Sequence, residues 1–307
     1  MRTELCDTLV QRAHHPEMVF LTGDLGFMAL EPLQAALGRR FINAGIAEQN
    51  MVSVAAAMVS EGLECWTYTI APFCYARAFE QIRNDVCMHR LAVKLLANGG
   101  GYGYGVMGPT HHALEDYGSL LTLPHMQVLL PCFNEDVAAV VSHAAVLDRP
   151  AYIRLGRGEL PAGQTAPDYA PWRCLLAGPA GVIICAGPIA GQVWALALQR
   201  PPDARPSVWV VSELPLTDHP PPAACLAQIG GGGDLAVIEE HVAHGGVAAM
   251  LAQYLLQHDI RPRRFHALYA RGYPSSTYGS QQFLRAQGGL GTDDITAVMD
   301  TMNGGAR

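Results

Sequence analysis

One acidic residue, Glu48, lies in the segment INAGIAEQNM, between an extended stretch and the start of a helical pattern. Its neighbours are small or apolar, so we expect its carboxylate to be removed from water. A carboxylate without hydration is commonly paired with a cation or used in chemistry. The alternative is an acid that the helix dipole favours in the first turn. Glu48 is therefore the first candidate for a functional group.

Two adjacent histidines, His111 and His112, lie in the segment GPTHHALED, where Pro109 and Thr110 open a helical pattern. Histidine titrates near neutrality and therefore suits proton transfer. A surface or capping role is the alternative for either ring. Asp24 in LTGDLG ends the first predicted strand, where an aspartate before glycine is also typical of an ordinary turn.

Three arginines are candidates for holding an anionic substrate tail, because guanidinium geometry suits phosphate. They are Arg154 and Arg157 in IRLGRGE, together with Arg2. Ion pairing at an interface is the alternative for each. The consecutive residues 239–241 in VIEEHVAHGG combine two acids and a histidine, but adjacent side chains do not share one face of a helix or strand. We expect an interface role at a strand end for them, not a metal site.

These residues lie on a chain in which short β-rich runs alternate with helical patterns. Such alternation predicts an α/β fold of two domains, each a mostly parallel sheet flanked by helices. Residues 1–160 form the first domain, the Pro- and Gly-containing residues 161–178 a linker, and residues 179–307 the second domain. In the first domain the predicted strands are Met18–Thr22, Trp66–Ile70, Leu91–Ala97, Gln127–Pro131 and Ala151–Leu155, and the predicted helices are Ile46–Glu61, Phe73–Met88, His112–Leu123 and Asn134–Leu147. In the second domain the predicted strands are Gly181–Ala186, Val208–Val211 and Leu235–Glu239, and the predicted helices are Ile189–Gln199 and Val247–Gln257, followed by a final helix in the tail.

The composition narrows the classes of function. Only 15% of the 307 residues are charged, against roughly 25% in typical domains, so we expect a large interface with another chain. A formal net charge of -7 gives no electrostatic reason to bind nucleic acid or an anionic membrane. The eight cysteines form no CxxC pair and are typical of free thiols in a reducing compartment. With no signal-peptide pattern and no membrane-spanning run, we expect a cytoplasmic protein.

Five segments in order along the chain resemble one known family. The segments GIAEQNM, FCYARAFEQIRND, GPTHHALED, LPHMQVLLPCFNEDV and IRLGRGE, from about Asn43 to Glu159, are similar to the pyrimidine-binding domain of transketolases. The resemblance is closest to the split kind, whose two halves are separate chains. VIEEHVAHGG and YGSQQFLR are more loosely similar to the C-terminal domain of the same family. Residues 1–160 are thereby identified as a pyrimidine-binding domain and residues 179–307 as a transketolase C-terminal domain.

The resemblance implies thiamine diphosphate as the cofactor and gives roles to several residues. Glu48 would hydrogen-bond a ring nitrogen of the aminopyrimidine and favour the tautomer that removes the thiazolium proton. Phe73, 25 residues further on, would place its ring against the aminopyrimidine; a core phenylalanine at a helix start is the alternative. Ile70 would add an apolar contact, and Tyr75 is a further candidate. Asp24 would lie near the thiazolium, across the interface between the two chains.

The same resemblance implies how the substrate is bound. His111, which holds the motif position that His112 does not, would hydrogen-bond substrate oxygens and assist proton transfer. Three positions depart from the family pattern: Met107 replaces an acid that contacts a donor hydroxyl, Gly99 replaces a histidine that contacts phosphate, and Met28 lies near a missing phosphate-binding serine. Each change removes a polar contact, so we expect a modified donor or acceptor, less hydroxylated or unphosphorylated.

The sequence lacks the family's diphosphate and magnesium motif, Gly-Asp-Gly followed by asparagine. Its nearest approach, GGGGD, ends at Asp234, and no asparagine follows before Asn303. The resemblance therefore implies that a partner subunit completes the site for thiamine diphosphate and Mg²⁺, in an α2β2 assembly that also self-associates through the pyrimidine-binding domain. The expected activity is transfer of a two-carbon ketol unit from a ketose or ketose phosphate to an aldehyde, with this chain silent on its own.

Three other functions fit parts of the sequence. The β subunit of a 2-oxoacid dehydrogenase shares the two domains and the glutamate, but GPTHHALED favours a transketolase. An enzyme resembling deoxyxylulose-phosphate synthase is a second alternative, although that enzyme is normally one chain. A non-catalytic regulatory subunit is the third, and the joint presence of Glu48, Phe73 and His111 argues against it.

Overall fold

A computed structural model describes residues 1–303, which fold into two sheets flanked by helices. The strands are β1 (Met18–Thr22), β2 (Phe41–Asn43), β3 (Glu64–Ile70), β4 (Lys94–Asn98), β5 (Gln127–Leu129), β6 (Ala151–Leu155), β7 (Trp172–Leu176), β8 (Val182–Ala186), β9 (Ser207–Val211), β10 (Glu213–Leu214), β11 (Leu235–Glu239) and β12 (Phe265–Leu268). The α-helices are α1 (Arg2–Arg12), α2 (Glu31–Leu37), α3 (Glu48–Ser60), α4 (Phe79–Gln81), α5 (Asp116–Leu120), α6 (Val137–Val146), α7 (Ala190–Leu198), α8 (Ala223–Gly230), α9 (Val247–Gln257), α10 (Gln281–Gln287) and α11 (Thr292–Asn303). Across these 303 positions, none of the helices combines the length and apolar character that crossing a bilayer requires.

Both sheets are mostly parallel. The first has the strand order β10-β5-β6-β4-β3-β1-β2, and its one antiparallel pair is β10 with β5. The second has the order β12-β11-β8-β9-β7, with β7 antiparallel to β9. All residues of β1, β6, β8 and β11 are buried, as expected where helices cover both faces of a parallel sheet. The predicted α/β fold class is confirmed.

Several predicted elements have different bounds in the structure. The predicted linker, residues 161–178, contains β7, an edge strand of the second sheet. The predicted helix Phe73–Met88 is a series of π-helical turns on either side of the short α4. The predicted helix His112–Leu123 shortens to α5, because His112 is extended and Ala113 pairs with Gly101 in an isolated β-bridge.

The two halves of the chain share one apolar core. A single cluster of buried side chains contains Leu95 and Tyr117 of the first half with Val247 and Leu251 of the second. The eight cysteines are unpaired, as predicted, and all except the half-buried Cys174 are buried. The halves therefore pack as one body and not as independent domains on a tether.

His241 lies at this junction as a neutral ring. Its Nδ1 donates to the carbonyl oxygen of Val242 at 2.8 Å, and its Nε2 accepts from the backbone N–H of Gly118 at 3.2 Å. The ring stacks on Tyr117 with centroids 3.9 Å apart. Burial lowers the pKa of His241 to about 4. Protonation would both charge a buried ring and remove its acceptor atom.

Replacing His241 by Asn should therefore make folding less sensitive to acid. In the unfolded chain histidine titrates near 6.5, so the neutral folded ring contributes stability above that pH that is lost as the pH falls through about 4. The wild-type protein should lose on the order of 3 kcal/mol through this group, and His241→Asn should not. Urea unfolding at about pH 7 and about pH 4.5 measures the difference. The exposed His89→Asn serves as control, and equal pH slopes in all three proteins would contradict the assignment.

Candidate active site

Glu48 lies at the carboxyl edge of the first sheet, where α3 begins directly at this residue. Its side chain is 1% exposed. Thr69, in β3, donates its hydroxyl to Oε1 at 3.1 Å. Gly23, which follows β1, leaves room for the carboxylate, since an added Cβ would lie 3.3 Å from Oε1. Ligands of open α/β sheets bind at this edge, so the acid occupies a favourable position for one.

The buried carboxylate is also paired. Nη1 of Arg77 lies 2.6 Å from Oε2 of Glu48, although the Arg77 side chain is 40% exposed. The same guanidinium lies 4.2 Å above the centre of the Phe73 ring, within cation–π distance. Sequence reasoning missed Arg77. The signal was available, because Arg77 follows Phe73 by four residues in a helical pattern, and a buried acid requires a counter-charge.

Phe73 connects the acid to His111. The Phe73 and His111 rings meet edge to face with centroids 5.2 Å apart. Tyr104 lies on another side of the same imidazole, at 5.9 Å between centroids. The structure thus brings Glu48, Phe73 and His111 into one chain of contacts through Arg77. An acid, an aromatic face and a titratable ring lie together at the carboxyl edge of the sheet.

The neighbouring histidine, His112, has a different environment. Its Nδ1 accepts from the hydroxyl of Tyr273 at 2.7 Å, and its Nε2 donates to the carbonyl oxygen of Gly105 at 3.0 Å. Burial lowers its pKa. His111, by contrast, is half-buried, with its Nδ1 2.9 Å from the hydroxyl of Thr110. Of the two rings, His111 is the one available to a ligand.

The remaining cofactor candidates lie around this group. Ile70 ends β3 and is buried. Tyr75 packs within the main apolar core, where burial and the neighbouring acids 115–116 raise its pKa. Asp24 occupies a turn after β1 with φ 59° and accepts from the side-chain amide of Asn43 at 2.8 Å. The left-handed backbone at Asp24 fits the turn alternative.

A cleft of about 650 Å³ lies beside the site, at the carboxyl ends of β4 and β6. Its walls include Arg2 and Arg157, two guanidinium groups that suit an anion. Gly99 and Tyr104 also contribute to the walls. Gly99 has φ 76°, and an added Cβ would lie 2.2 Å from the Tyr104 ring. The Tyr104 ring therefore fills the space that a histidine at position 99 would need.

Arg154 is not part of this cleft. It is 3% exposed, and its Nε donates to Oδ2 of Asp116 at 2.7 Å. Its Nη2 donates to the carbonyl oxygens of Ala113 at 2.7 Å and Glu240 at 2.9 Å. The prediction that Arg154 holds a substrate tail is therefore wrong. Its guanidinium is used by an ion pair and by backbone groups at the junction of the two halves.

Exposed apolar side chains surround the site on several loops. We call this group the apolar rim; its members are Phe27, Met28, Ile46, Val106 and Met107. Met28 is 96% exposed and also lines the cleft. Clustered exposed apolar groups are typical of protein interaction sites. The rim therefore marks a surface that another molecule covers.

The acids and histidine at 239–241 serve separate partners. Glu239 accepts from the backbone N–H groups of Val247 at 2.7 Å and Ala248 at 2.9 Å. Glu240 accepts from the backbone N–H of Tyr102 at 2.8 Å. Within residues 1–303, no cluster of three or more histidine, cysteine or acidic side chains has the arrangement to hold a metal ion.

Sequence comparisons place the chain among a defined set of relatives. The family model described as transketolase, pyrimidine binding domain, matches residues 10–163. One of the subunits of apulose-4-phosphate transketolase from Phocaeicola vulgatus is 28% identical, over 85% of this chain and 85% of the relative. The protein of the same name from Actinobacillus succinogenes is 28% identical, over 86% and 85%. The 1-deoxy-D-xylulose-5-phosphate synthase of Myxococcus xanthus is 28% identical, over 96% of this chain but 50% of its own length.

Solved structures share the whole architecture. A split gene transketolase, described as an inactive beta4 tetramer, superposes with a TM-score of 0.80 at 27% identity, covering 100% of this chain and 98% of the other. Transketolase from Leishmania mexicana superposes with a TM-score of 0.74 at 18% identity, over 99% of this chain and 45% of its own. The second likeness concerns the fold alone.

Replacing Arg77 by Ala should lower the free energy of unfolding by about 1–3 kcal/mol, because a buried carboxylate loses its charged partner. Adding Glu48→Gln in that background should restore much of the loss, since a neutral amide costs less to bury. Arg83→Ala, an exposed change on the same helical segment, is the control. Urea unfolding measures all four proteins. A loss that Glu48→Gln does not rescue would show that Arg77 acts through packing on Phe73 instead.

Proposed function

Because the chain belongs to the family of transketolase pyrimidine-binding domains, we propose that it forms, with a partner chain, an enzyme that transfers two-carbon ketol units. It is the C-terminal, pyrimidine-binding subunit of a split thiamine-diphosphate-dependent transketolase-family protein. The observation that carries the proposal is the buried Glu48 carboxylate, which lies beside Phe73 and His111 at the carboxyl edge of the sheet.

The residues present fit the pyrimidine end of thiamine diphosphate. Glu48 offers a carboxylate in an apolar setting, and only Thr69 and Arg77 occupy its oxygens within residues 1–303. Arg77 is partly exposed and is free to turn outward. Glu48 would accept a hydrogen bond from a ring nitrogen, and Phe73 would provide an apolar face, with Ile70 beneath. When bound, the cofactor supplies an electron sink for carbon–carbon cleavage.

The substrate end of the site is built from His111 and the cleft. His111 is placed to exchange protons with substrate oxygens. Arg2 and Arg157 would hold an anionic tail, which favours a phosphorylated donor. Met107 and Gly99 offer no polar side chain where the family uses one. Apulose 4-phosphate, which two relatives carry in their names, is one candidate substrate.

A partner chain would complete the enzyme. The sequence lacks the Gly-Asp-Gly motif with its asparagine, so the diphosphate and Mg²⁺ would be held by the other chain. The apolar rim, with Phe27 and Ile46 mostly exposed, is the surface we assign to that chain. We infer an α2β2 assembly in which this chain also associates with its own copy. Asp24, on a loop beside the rim, would face the thiazolium across the interface.

Two rival activities give different products. A 2-oxoacid dehydrogenase β subunit would support oxidative decarboxylation, and an enzyme like deoxyxylulose-phosphate synthase would decarboxylate pyruvate and join it to an aldehyde phosphate. The position of His111 against Phe73 supports the transketolase. Copurifying the partner and adding thiamine diphosphate, Mg²⁺ and each donor distinguishes them. Absence of turnover in every combination would support a regulatory subunit.

In the reconstituted enzyme, Glu48→Gln should lower ketol transfer by about 100-fold or more, because the group that polarises the pyrimidine is lost. Assembly with the partner, followed by size-exclusion chromatography, should not change. Glu61→Gln, an exposed change at the end of the same helix, should retain full activity. Normal turnover by Glu48→Gln would remove the basis of the proposed mechanism.

Replacing Arg157 by Ala should raise KM for a phosphorylated donor by about 10- to 100-fold, the value of one charge-assisted hydrogen bond. The KM of the unphosphorylated analogue should stay the same, which makes it the internal control. Steady-state rates of wild type and variant with both donors give the comparison. Equal effects on the two donors would show that Arg157 does not contact phosphate. Wild-type rates with xylulose 5-phosphate equal to those of an ordinary transketolase would contradict a modified donor.

A further inference from the structure

One loop carries most of the substrate end of the site. Residues 99–113, which we call the glycine loop, join β4 to the segment before α5 and include Tyr104 and His111. Five of the first seven residues are glycine, in GGGYGYG. Glycine loses more conformational freedom on folding than any other residue. A loop of this composition needs anchors from outside itself to hold a catalytic ring in place.

The principal anchor comes from the second half of the chain. Glu240 follows β11 and is 3% exposed. Its Oε1 accepts from the backbone N–H of Tyr102 at 2.8 Å. Arg285 donates to Oε2 at 2.7 Å, and Gln281 donates to both oxygens at 3.1 and 3.2 Å. Burial alone would raise the pKa of Glu240, but Arg285 and these hydrogen bonds lower it. The carboxylate thus ties the loop to α10.

A second set of contacts holds the two ends of the loop. The hydroxyl of Tyr102 donates to the carbonyl oxygen of Gly272 at 2.7 Å, and that of Tyr273 lies 2.7 Å from Nδ1 of His112. The glycines fit closely against the same region, since a Cβ at Gly105 would lie 3.2 Å from a backbone nitrogen of the second half. The residue next to His111 is therefore fixed by the second half.

We propose that Glu240 is a positioning residue of the reaction, which holds the glycine loop so that Tyr104 and His111 keep their places at the substrate. The inference rests on the proposed function of the site. Glu240 touches neither ring and acts through Tyr102. Loosening it moves the substrate-binding wall but leaves Glu48 and Phe73, which lie on other elements, where they are. A displacement of about 1 Å at a reacting group costs on the order of 100-fold in rate.

The test compares Glu240→Gln with Glu239→Gln in the reconstituted enzyme. Both acids are buried neighbours, but Glu239 caps α9 and does not contact the loop. Glu240→Gln should lower kcat/KM for the donor by about 10- to 100-fold, with the half-saturating concentration of thiamine diphosphate unchanged. Glu239→Gln should keep the wild-type donor kinetics. Tyr273→Phe, which removes one hydroxyl, should lower kcat/KM in the same direction by a smaller factor.

Amide hydrogen exchange on the ligand-free chain provides a readout independent of activity. Glu240→Gln should speed exchange in residues 99–113, and Glu239→Gln should speed it at the start of α9 instead. If Glu240→Gln does not fold, Tyr273→Phe decides by the same two measurements. Wild-type kinetics and unchanged exchange in the loop would overturn the proposal. A wild-type enzyme without ketol transfer would defeat the proposed function, while hydrogen exchange would still test the anchor.

Discussion

The site depends on keeping one carboxylate out of water without leaving it uncompensated. Transferring a charged group into an apolar interior is costly unless it gains partners. Glu48 gains a threonine hydroxyl and a guanidinium, and the guanidinium is the more exposed of the two. The arrangement leaves an acid that is stable in the free chain and yet accessible from the side where Arg77 lies. Burial and accessibility are thereby reconciled at one residue.

The parallel sheet explains why dispersed residues meet. Asp24 follows β1, Glu48 begins the helix after β2, Ile70 ends β3, and Gly99 follows β4. In a parallel sheet these carboxyl ends lie along the same edge. The second half of the chain adds no ring or acid to the cluster around Glu48 within the described residues. It instead supplies anchors, through Glu240 and Tyr273, for the loop that reaches the substrate end.

Sequence patterns predicted much of this fold and part of the site. Strands β1, β6 and β11 have the predicted bounds, because their buried runs are bounded by clear turn residues. Glu48 was identified from its apolar neighbours. Its partner Arg77 was not, because a long-range ion pair leaves no local pattern. Arg154 was misassigned for a related reason: its adjacent motif residue, Arg157, faces the cleft, but period-two alternation and tertiary contacts send Arg154 into the junction.

The short strand β10 has a consequence for how the chain is made. It belongs to the second half by sequence but closes the first sheet, pairing Leu214 with Val128. Until the ribosome has delivered that segment, β5 presents an open edge, the kind of surface on which unrelated strands pair. A truncated gene that stops after β6 would encode a sheet with one border permanently unsealed. The two halves are in this sense a single folding unit, whatever their separate roles at the substrate.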